Sequence, residues 1–489
     1  MLIAVTAAAW IALLIPLRLT RWLSQAAALP MAAMVIQLVE EGPRWQLAPA
    51  YSLVVLVSGV WLRRVWRPEI RRTGSSRSRR FAVGFAVSLA ALGLVTSVAV
   101  PALVPVFHFP TPTGPYAIGT TTYHWTDTDR PEVFTADPDD RRELMVQIWY
   151  PAASSGSGGK EPWIPDAASV TPALAYALRQ PAFAFSHFKY VTTHSTASAP
   201  AAATERGFPV LIFLHGFGGF RQHSTFQVEH LVSHGYIVAA IDQPYVAASV
   251  AFPDGRRITG RSRDEMLPLV RSSYAAVEPA PQLNGRVVAD GIISYLAQDV
   301  RFTLDRLVAV HRSDPHNLLT GSLDLDRVGV FGPSLGGIVA AEACRQDLRL
   351  RACLMMDSPM PKIVVSQGLS QPAMWITRDS ETFRLEHLPQ PEIDEHLGTM
   401  RSTFERTRSD RYFVVVRGLF HLNLTDYPLV SPLLPTIGAT GPIGSDRAHH
   451  IINAYSRAFF DRHLNQRSAT LLDTPAQQYR EVQMEIRRR

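Results

Sequence analysis

The stretch Val-Gly-Val-Phe-Gly-Pro-Ser-Leu-Gly-Gly occupies residues 328–337 and decides the fold of this chain. It is an apolar run that ends in Gly332-x-Ser334-x-Gly336, and a helix-compatible run of small residues follows at 338–344. A strand that turns sharply into a helix at a serine between glycines is typical of the nucleophile elbow of serine hydrolases. The glycines leave room for a serine in a strained backbone conformation. The pattern predicts that Ser334 is a nucleophile held at the carboxyl end of a sheet.

The excess of positive charge in this 489-residue chain lies in one segment. Residues 63–80 hold eight arginines and one acid, so this segment alone accounts for the net charge of +6. No aromatic-interleaved basic face or phosphate-cradling glycine loop appears elsewhere, and nucleic acid is therefore not an expected partner. The sequence also lacks Cys-x-x-Cys and His-Glu-x-x-His spacing, so we expect neither a metal nor a cofactor.

The chain has two cysteines, Cys344 and Cys353. The first lies on the predicted helix after the elbow and the second on the next apolar strand. We interpret both as small buried hydrophobic residues. A disulfide between them is the alternative, which we disfavour because such a helix and strand rarely present suitably facing Cβ atoms.

Four apolar stretches precede the remainder of the chain, at residues 2–17, 22–39, 47–62 and 81–100. The last has no charged residue, and twenty residues at about 1.5 Å each cross a bilayer core of about 30 Å. The first three are shorter and contain proline, so re-entrant or interfacial helices are the alternative. We expect no cleaved signal peptide, because the first stretch lacks a positively charged leader. The sequence predicts an N-terminal transmembrane region, residues 1–108, with about four helices.

The charges between these stretches predict an orientation. The basic loop 63–80 and the loop with Arg18 and Arg21 are expected in the cytoplasm, and the acidic loop with Glu40 and Glu41 outside. The alternation predicts a multi-pass protein of the cell membrane, with its remaining chain on the extracytoplasmic side. A solvated basic linker without topological meaning is the alternative.

Residues 109–470 have the pattern of an α/β domain, and we interpret residues 471–489 as a polar C-terminal tail. The continuous apolar run 208–214 indicates a strand buried on both faces of a parallel sheet. A glycine-rich turn follows it at 215–219, where this kind of fold places one oxyanion-hole amide. We predict that the backbone N–H groups of Phe217 and Leu335 form that hole. His215 is expected to hold the turn by hydrogen bonds.

A long segment at residues 245–289 is interpreted as irregular, with a Phe-Pro-Asp-Gly turn at 252–255. Loops of this length in α/β domains are usually lids or substrate walls. Apolar residues at helical spacing then predict a helix over 293–307 that leads to the elbow strand.

Two aspartates and one histidine follow later strands. Asp357 ends the apolar run 352–356, Asp379 follows the next strand, and His421 follows a third strand at 412–416. The order Ser, Asp, His is that of the α/β-hydrolases. We favour Asp357 as the acid, because Asp379 lies in the polar run 378–381, which we interpret as a solvated loop.

The chain resembles the platelet-activating-factor acetylhydrolase family of the lipoprotein-associated type, over roughly residues 110–464. The resemblance lies in several stretches in the right order: Pro-Thr-Gly-Pro-Tyr at 112–116, Ile-Trp-Tyr-Pro at 148–151, His-Gly-Phe-Gly at 215–218, Ser-His-Gly-Tyr-Ile-Val-Ala-Ala at 233–240, the elbow at 332–337, Asp357, residues 418–426, and Ala-Phe-Phe-Asp-Arg-His-Leu at 458–464.

The resemblance implies an α/β-hydrolase fold, a mostly parallel sheet with helices on both faces. It implies a triad of Ser334, Asp357 and His421, with Phe217 and Leu335 as oxyanion donors, and hydrolysis of short or oxidised acyl esters without calcium. The chain departs from the family at Pro333, where a histidine is usual, and in its N-terminal apolar region, which secreted members lack. It is similar to a membrane-anchored, bacterial-like member.

These observations predict a serine carboxylic ester hydrolase with a covalent acyl-enzyme, acting on small-molecule or lipid esters and held to the lipid bilayer by its N-terminal helices. Two alternatives stay open. One is a polyester, cutin-type or dienelactone-type hydrolase, or a peptidase, on the same scaffold. The other is a membrane-anchored binding protein without catalysis.

Overall fold

The computed structural model describes residues 6, 8, 28–66, 77–154, 158–474 and 478–489. The chain forms two compact units. One comprises Met1–Phe107 with Val430–Pro432, and the other comprises His108–Leu429 with Leu433–Arg489.

The first unit is helical. Its helices are α1 (Ala28–Glu40), α2 (Ala48–Trp66) and α3 (Arg77–Leu103). Two segments, Trp45–Leu62 and Gly84–Leu103, are long and apolar enough to cross a membrane. They overlap the predicted stretches 47–62 and 81–100, whereas α1 overlaps the stretch 22–39 only at residues 28–39. The stretch 2–17, apart from Thr6 and Ala8, and residues 67–76 of the basic loop lie outside the described residues.

The second unit is built around one large sheet. Its strands are β1 (Ala117–Pro131), β2 (Arg141–Ala152), β3 (Lys160–Pro162), β4 (Thr192–Ala197), β5 (Phe208–Leu214), β6 (Ile237–Asp242), β11 (Leu323–Pro333), β12 (Leu350–Met356), β13 (Ala373–Thr377), β14 (Arg411–Val416) and β15 (Val482–Arg487). Within the described residues the order is β15-β14-β13-β12-β11-β5-β6-β2-β1-β4-β3. The six strands from β14 to β6 are parallel to one another, and both flanks contain antiparallel pairs.

Helices cover both faces of this sheet. They are α4 (Ala167–Ala177), α5 (Thr225–Ser233), α6 (Arg263–Arg271), α7 (Ile293–Arg312), α8 (Leu335–Gln346), α9 (Lys362–Gln367), α10 (Ser380–Leu385), α11 (Gln390–Arg406) and α12 (Ser445–His463). Strand β5 shows the layering, because alternate side chains of a strand point to opposite faces. Val210 and Ile212 belong to the core that includes α7 and α8. Leu211 and Phe213 belong to the core that includes α5 and α12.

Three expectations from the sequence need correction here. The segment 245–289 is not irregular: it contains α6 and the short strands β7 (Ser249–Ala251), β8 (Arg257–Thr259), β9 (Gln282–Leu283) and β10 (Arg286–Val287). Helix α6 begins at a capping box between Ser262 and Glu265, a local signal that the length of the segment concealed. The predicted turn lies between β7 and β8, with Gly255 at a φ of 88°.

The polar tail is the second correction. Residues 482–487 form β15, which pairs antiparallel with β14 along six residues. Val482 is buried, and Met484 and Ile486 pack against the core on the α12 side of the sheet. The alternation of apolar and polar residues in this segment is what a strand with one covered face requires.

The third correction concerns the cysteines. Cys344 and Cys353 form a disulfide, with Cα atoms 6.6 Å apart. Cys344 lies in the last turn of α8 and Cys353 in β12, and both are fully buried. Helix α8 packs directly on β12, which brings the two residues within the usual span of a disulfide.

A buried network of charges joins β2 to α7. The guanidinium of Arg142 is fully buried and pairs with Asp299 at 2.8 Å and with Glu132 at 2.9 Å. Arg130 also binds Asp299, at 2.6 Å, and the Gln243 amide donates to the same carboxylate at 2.8 Å. Every oxygen of Asp299 therefore has a donor, as a charge removed from water requires.

Candidate active site

Ser334 lies between the end of β11 and the start of α8, in a strained conformation with φ 56° and ψ −128°. Its neighbours make the sharp turn possible, since a Cβ built on Gly332 or Gly336 would lie 2.3 or 2.1 Å from the Leu214 carbonyl oxygen. Only glycine permits so close a backbone approach. The elbow is also tied to β12, because the Ser334 N–H donates to the Met356 carbonyl at 2.8 Å.

The turn after β5 lies against the elbow. A Cβ built on Gly216 would be 3.2 Å from the Cβ of Ser334. The backbone N–H groups of Phe217 and Leu335 donate no hydrogen bond in the part of the chain that the structure describes. They flank Ser334 as two unused donors, which is what an oxyanion hole requires.

His215 holds this turn, as expected. Its Nδ1 lies 2.7 Å from the Gly216 carbonyl, and its Nε2 accepts the Gln243 N–H at 3.3 Å. Because Nε2 is an acceptor, Nδ1 carries the proton and the ring is neutral. Burial lowers the pKa of His215, which favours the same neutral form.

His421 begins a short 3₁₀ helix, His421–Leu424, after β14. Its Nδ1 lies 2.6 Å from Oδ2 of Asp357. An ionised carboxylate only accepts hydrogen bonds, so Nδ1 carries the proton and Nε2 is left as an acceptor. The Asn423 side chain holds the turn by accepting the N–H groups of Phe420 and Gly441, at 2.9 and 2.7 Å.

Asp357 has a positive φ of 47° and is 1% exposed. Thr377 Oγ1 donates to Oδ1 at 3.1 Å, and the Arg378 guanidinium lies 3.1 Å from Oδ2. Burial alone would raise the pKa of Asp357. The charge of Arg378 and the donors on His396 and His421 outweigh it and hold the pKa well below its usual range. Asp357 is therefore ionised at neutral pH.

Ser334 and His421 line a cavity of about 1170 Å³ together. One wall comes from α4 and the segment behind it, with Leu174, Phe185 and Phe188, and the other from Tyr245 and residues 259–263. Residues of the segment 245–289, which the sequence led us to interpret as a lid or substrate wall, thus line this cavity. The sequence did not predict the wall formed by α4.

A second cavity of about 520 Å³ reaches Ser334 from another side. Asp357 and His421 line it as well, together with side chains of α6 and α11. Its rim carries opposite charges, with Arg271 3.6 Å from Glu395. The predicted nucleophile is therefore accessible from two spaces, and both are lined by apolar as well as charged side chains.

The structure brings together all five residues that the sequence singled out: Ser334, Asp357, His421, Phe217 and Leu335. It also corrects the reading of residues 378–381 as a solvated loop. Arg378 is 3% exposed, and Asp379 caps α10 by accepting the Thr382 N–H at 2.7 Å.

Three residues around Asp357 were not predicted from the sequence: Arg378, Glu386 and His396. A signal was present only for Arg378. It follows β13 directly, and the carboxyl ends of neighbouring parallel strands meet at one edge of a sheet. Among the described residues, no group of three or more His, Cys, Asp and Glu side chains is placed to hold a metal ion.

The mostly parallel sheet, the helices on both faces and a serine at a strained elbow define an α/β-hydrolase. The chain belongs to the family described as platelet-activating factor acetylhydrolase, isoform II, whose model matches residues 103–476. The resemblance found in the sequence is confirmed. Family membership and fold together support an ester hydrolase.

The similarity to individual proteins is moderate. Platelet-activating factor acetylhydrolase of Canis lupus familiaris is 26% identical over 296 residues, covering 57% of this chain and 62% of that protein. The Gallus gallus protein of the same name is 21% identical over 383 residues, covering 73% and 84%. The match thus spans about three fifths of the length of the dog protein. A ferulic acid esterase from Streptomyces cinnamoneus superposes with a TM-score of 0.58 at 27% identity, covering 77% of this chain and 99% of the esterase.

Proposed function

We propose that this protein is a serine carboxylic ester hydrolase in which Ser334 is the nucleophile, His421 the general base and Asp357 the acid of the triad. One observation carries the proposal. His421 donates to the ionised Asp357 at 2.6 Å, in the wall of the cavity into which Ser334 also opens. A serine at an elbow, a histidine with a free Nε2 and a buried carboxylate behind it are the parts that acyl transfer needs.

The chemistry follows from these positions. Ser334 Oγ attacks the ester carbonyl while His421 Nε2 accepts the hydroxyl proton. Negative charge develops on the carbonyl oxygen, and the N–H groups of Phe217 and Leu335 stabilise it, each by about 3 kcal/mol. His421 then protonates the leaving alcohol, and a water molecule activated by the same nitrogen hydrolyses the acyl-enzyme. Asp357 keeps the imidazole in the required tautomer and stabilises its charged form.

The substrate class we propose is a short-acyl or oxidised-acyl ester of a lipid-like or small alcohol. Family membership supports it, because relatives named platelet-activating factor acetylhydrolase match this chain. The apolar lining of the larger cavity, with Leu174, Phe185 and Phe188, suits an acyl group. The charged rim of the smaller cavity suits a polar leaving group.

A second substrate class is favoured by the likeness to the ferulic acid esterase. Aromatic side chains line the larger cavity: Trp163, Tyr176, Phe185, Phe188, Phe217, Phe220, Tyr245 and Tyr427. Such a lining also suits aromatic acids or the repeating units of a polyester. The reaction class is the same in both cases.

The proposed location is the cell membrane, with the catalytic unit on the extracytoplasmic side. Two apolar helices of sufficient length support membrane association, and the arginines at 63–80 support a cytoplasmic position for the loop before α3. The disulfide Cys344–Cys353 supports the same side, since disulfides persist mainly in oxidising compartments.

Covalent labelling tests the proposal directly. A fluorophosphonate probe should label the purified full-length protein at Ser334, and Ser334→Ala should abolish both labelling and ester turnover. Losing a triad serine lowers kcat by about 10⁶-fold. Ser366→Ala is the matched control, because its hydroxyl is exposed and donates only within its own helix, to the Ile363 carbonyl. Turnover near the wild-type rate in Ser334→Ala would refute the mechanism.

A further inference from the structure

We infer that Arg378 and Glu386 set the pH at which His421 accepts a proton, although neither side chain touches the ester. Both are positioning residues that act through Asp357 and through the backbone of His421. The inference rests on the proposed function, because it assigns a role to the charges behind the proposed triad.

One oxygen of Asp357 has two donors. His421 Nδ1 lies 2.6 Å from Oδ2, and the Arg378 guanidinium lies 3.1 Å from the same oxygen. The other oxygen is occupied by Thr377 Oγ1 at 3.1 Å. A protonated His421 and Arg378 therefore compete for the negative charge of a single carboxylate.

Arg378 is held firmly in this position. Its side chain is 4% exposed, forms an ion pair with Glu386 and stacks over the Phe383 ring with 3.9 Å between guanidinium carbon and ring centroid. Glu386 in turn accepts the backbone N–H of His421 through Oε1 at 3.2 Å. The four residues form a closed ring of contacts: Asp357, Arg378, Glu386 and His421.

The two positioning residues have opposite charges and hence opposite effects. Arg378 stabilises the Asp357 carboxylate even when His421 is neutral, and it repels a protonated His421 ring. Arg378 therefore favours the neutral His421 ring, which is the form that can accept a proton. Glu386 lies against the backbone of His421 and favours the charged ring. The opposing effects of Arg378 and Glu386 together determine the pH below which activity is lost.

Other ionisable groups face the same site. His396 of α11 lies 3.4 Å from Oδ1 of Asp357. Glu392 and Glu395 of α11, and Arg263 and Arg271 of α6, line the smaller cavity. His223, which precedes α5, is partly buried, and desolvation lowers its pKa to about 3. His223 is therefore uncharged near neutral pH, and none of these other groups is changed in the variants compared below.

The test is the acid limb of kcat/KM against pH, measured with the detergent-solubilised full-length protein and a short-acyl chromogenic ester. In Arg378→Gln the midpoint of this limb should rise by about 0.5–1 pH unit, and in Glu386→Gln it should fall by a similar amount. Arg378→Lys keeps the charge, so its midpoint should stay within about 0.3 unit of the wild type. A merely structural role would lower activity at every pH without moving the midpoint.

The two variants should shift the midpoint in opposite directions, so the inference can be tested even if one of them does not fold. Glu386→Gln leaves Arg378 paired with Asp357 and suffices alone, since a midpoint that stays or rises in this variant overturns the inference. Equal shifts of both variants in one direction overturn it as well. If the wild type is labelled at Ser334 and active while no midpoint moves, only this inference fails. Absence of labelling in the wild type would instead defeat the proposed function.

Discussion

Asp357 and Asp379 follow two neighbouring parallel strands, β12 and β13, yet their carboxylates have different partners. Asp357 accepts from His421 at 2.6 Å, whereas Asp379 accepts the Thr382 N–H that begins α10, at 2.7 Å. The first carboxylate is 1% exposed and surrounded by donors, and the second is a helix cap. Sequence position alone made both aspartates candidates for the acid of the triad.

Asp357→Asn should lower kcat by about 10⁴-fold with little change in KM, because an amide leaves His421 in the wrong tautomer. Steady-state kinetics on folded protein measure this. Thermal unfolding is measured alongside, since Arg378 loses one of its two carboxylate partners and a buried unpaired charge is destabilising.

Asp379→Asn is the matched control and should lose at most about tenfold in kcat. Asparagine caps a helix about as well as aspartate, so stability should change by less than about 1 kcal/mol. The reverse result, with a large loss only in Asp379→Asn, would make Asp379 the catalytic acid.

Short-acyl esters should be hydrolysed with a higher kcat/KM than long-chain esters. The expectation rests on the family, since a cavity of about 1170 Å³ does not by its size exclude a long chain. A series of p-nitrophenyl esters from C2 to C16 measures it. A steady rise of kcat/KM up to C16 would identify a true lipase instead.

A pair of substitutions tests which cavity holds the acyl group. Leu174→Trp narrows the larger cavity and should reduce the rate for C8 esters more than for acetyl esters. Leu267→Trp, in the smaller cavity, should instead discriminate between small and large alcohols. If the two variants exchanged these effects, the acyl group would occupy the smaller cavity.

The catalytic unit should be accessible from outside the cell. Added protease should digest the chain beyond residue 110 in intact cells, while a tag near residue 75 stays protected, because the basic loop is expected in the cytoplasm. Protection of the catalytic unit would reverse this orientation. A second measurement is independent of proteolysis: after denaturation without reductant, Cys344 and Cys353 should resist alkylation. Ready alkylation of both would place the unit in a reducing compartment.

Acidification should destabilise the protein partly through His449. Its ring is buried, lies on Phe226 with 3.7 Å between ring centroids, and has Nε2 2.9 Å from the Thr425 carbonyl. Burial lowers the pKa of His449 from 6.5 to about 4. Between these values the unfolded chain binds a proton that the folded chain does not, so stability falls as pH falls, by about 2 kcal/mol at pH 5.

His449→Gln keeps a donor for Thr425 but cannot take up that proton. The decrease in melting temperature from pH 7 to pH 5 should therefore be smaller in this variant than in the wild type. His108→Gln, at an exposed histidine, should leave the decrease unchanged. An equal decrease in all three proteins would show that His449 does not contribute.

The elements that carry the proposed triad were predictable because their strands are buried on both faces. Such strands have continuous apolar runs, and the run 208–214 coincides with β5. The strands that precede Asp357 and His421 are off by two residues at most. The elbow was predictable for another reason, since Gly332 and Gly336 lie at a fixed spacing around Ser334 that is a known motif, although the backbone that excludes a Cβ at both positions is that of Leu214.

The surroundings of Asp357 were not predictable in the same way. Arg378 and Glu386 lie in polar stretches that resemble a surface, and their burial depends on tertiary contacts with Asp357 and His421, which lie far away in the chain or on another element. Strand β15 was missed because its partner β14 lies some 70 residues earlier in the chain. The disulfide depends on the distance between the end of α8 and β12, which no local pattern encodes.

The buried network of charged side chains between β2 and α7 restricts which substitutions this sequence can accept during evolution. Replacing Arg142 alone would leave Glu132 without a counter-charge and would leave Asp299 with Arg130 as its remaining cation, at a cost of about 3–5 kcal/mol. Replacing all of them together by apolar residues of similar volume is often neutral. Homologues should therefore either keep the whole set or lack it, and intermediate combinations should be rare. Covariation among these positions in homologues would show that they are substituted together and not singly.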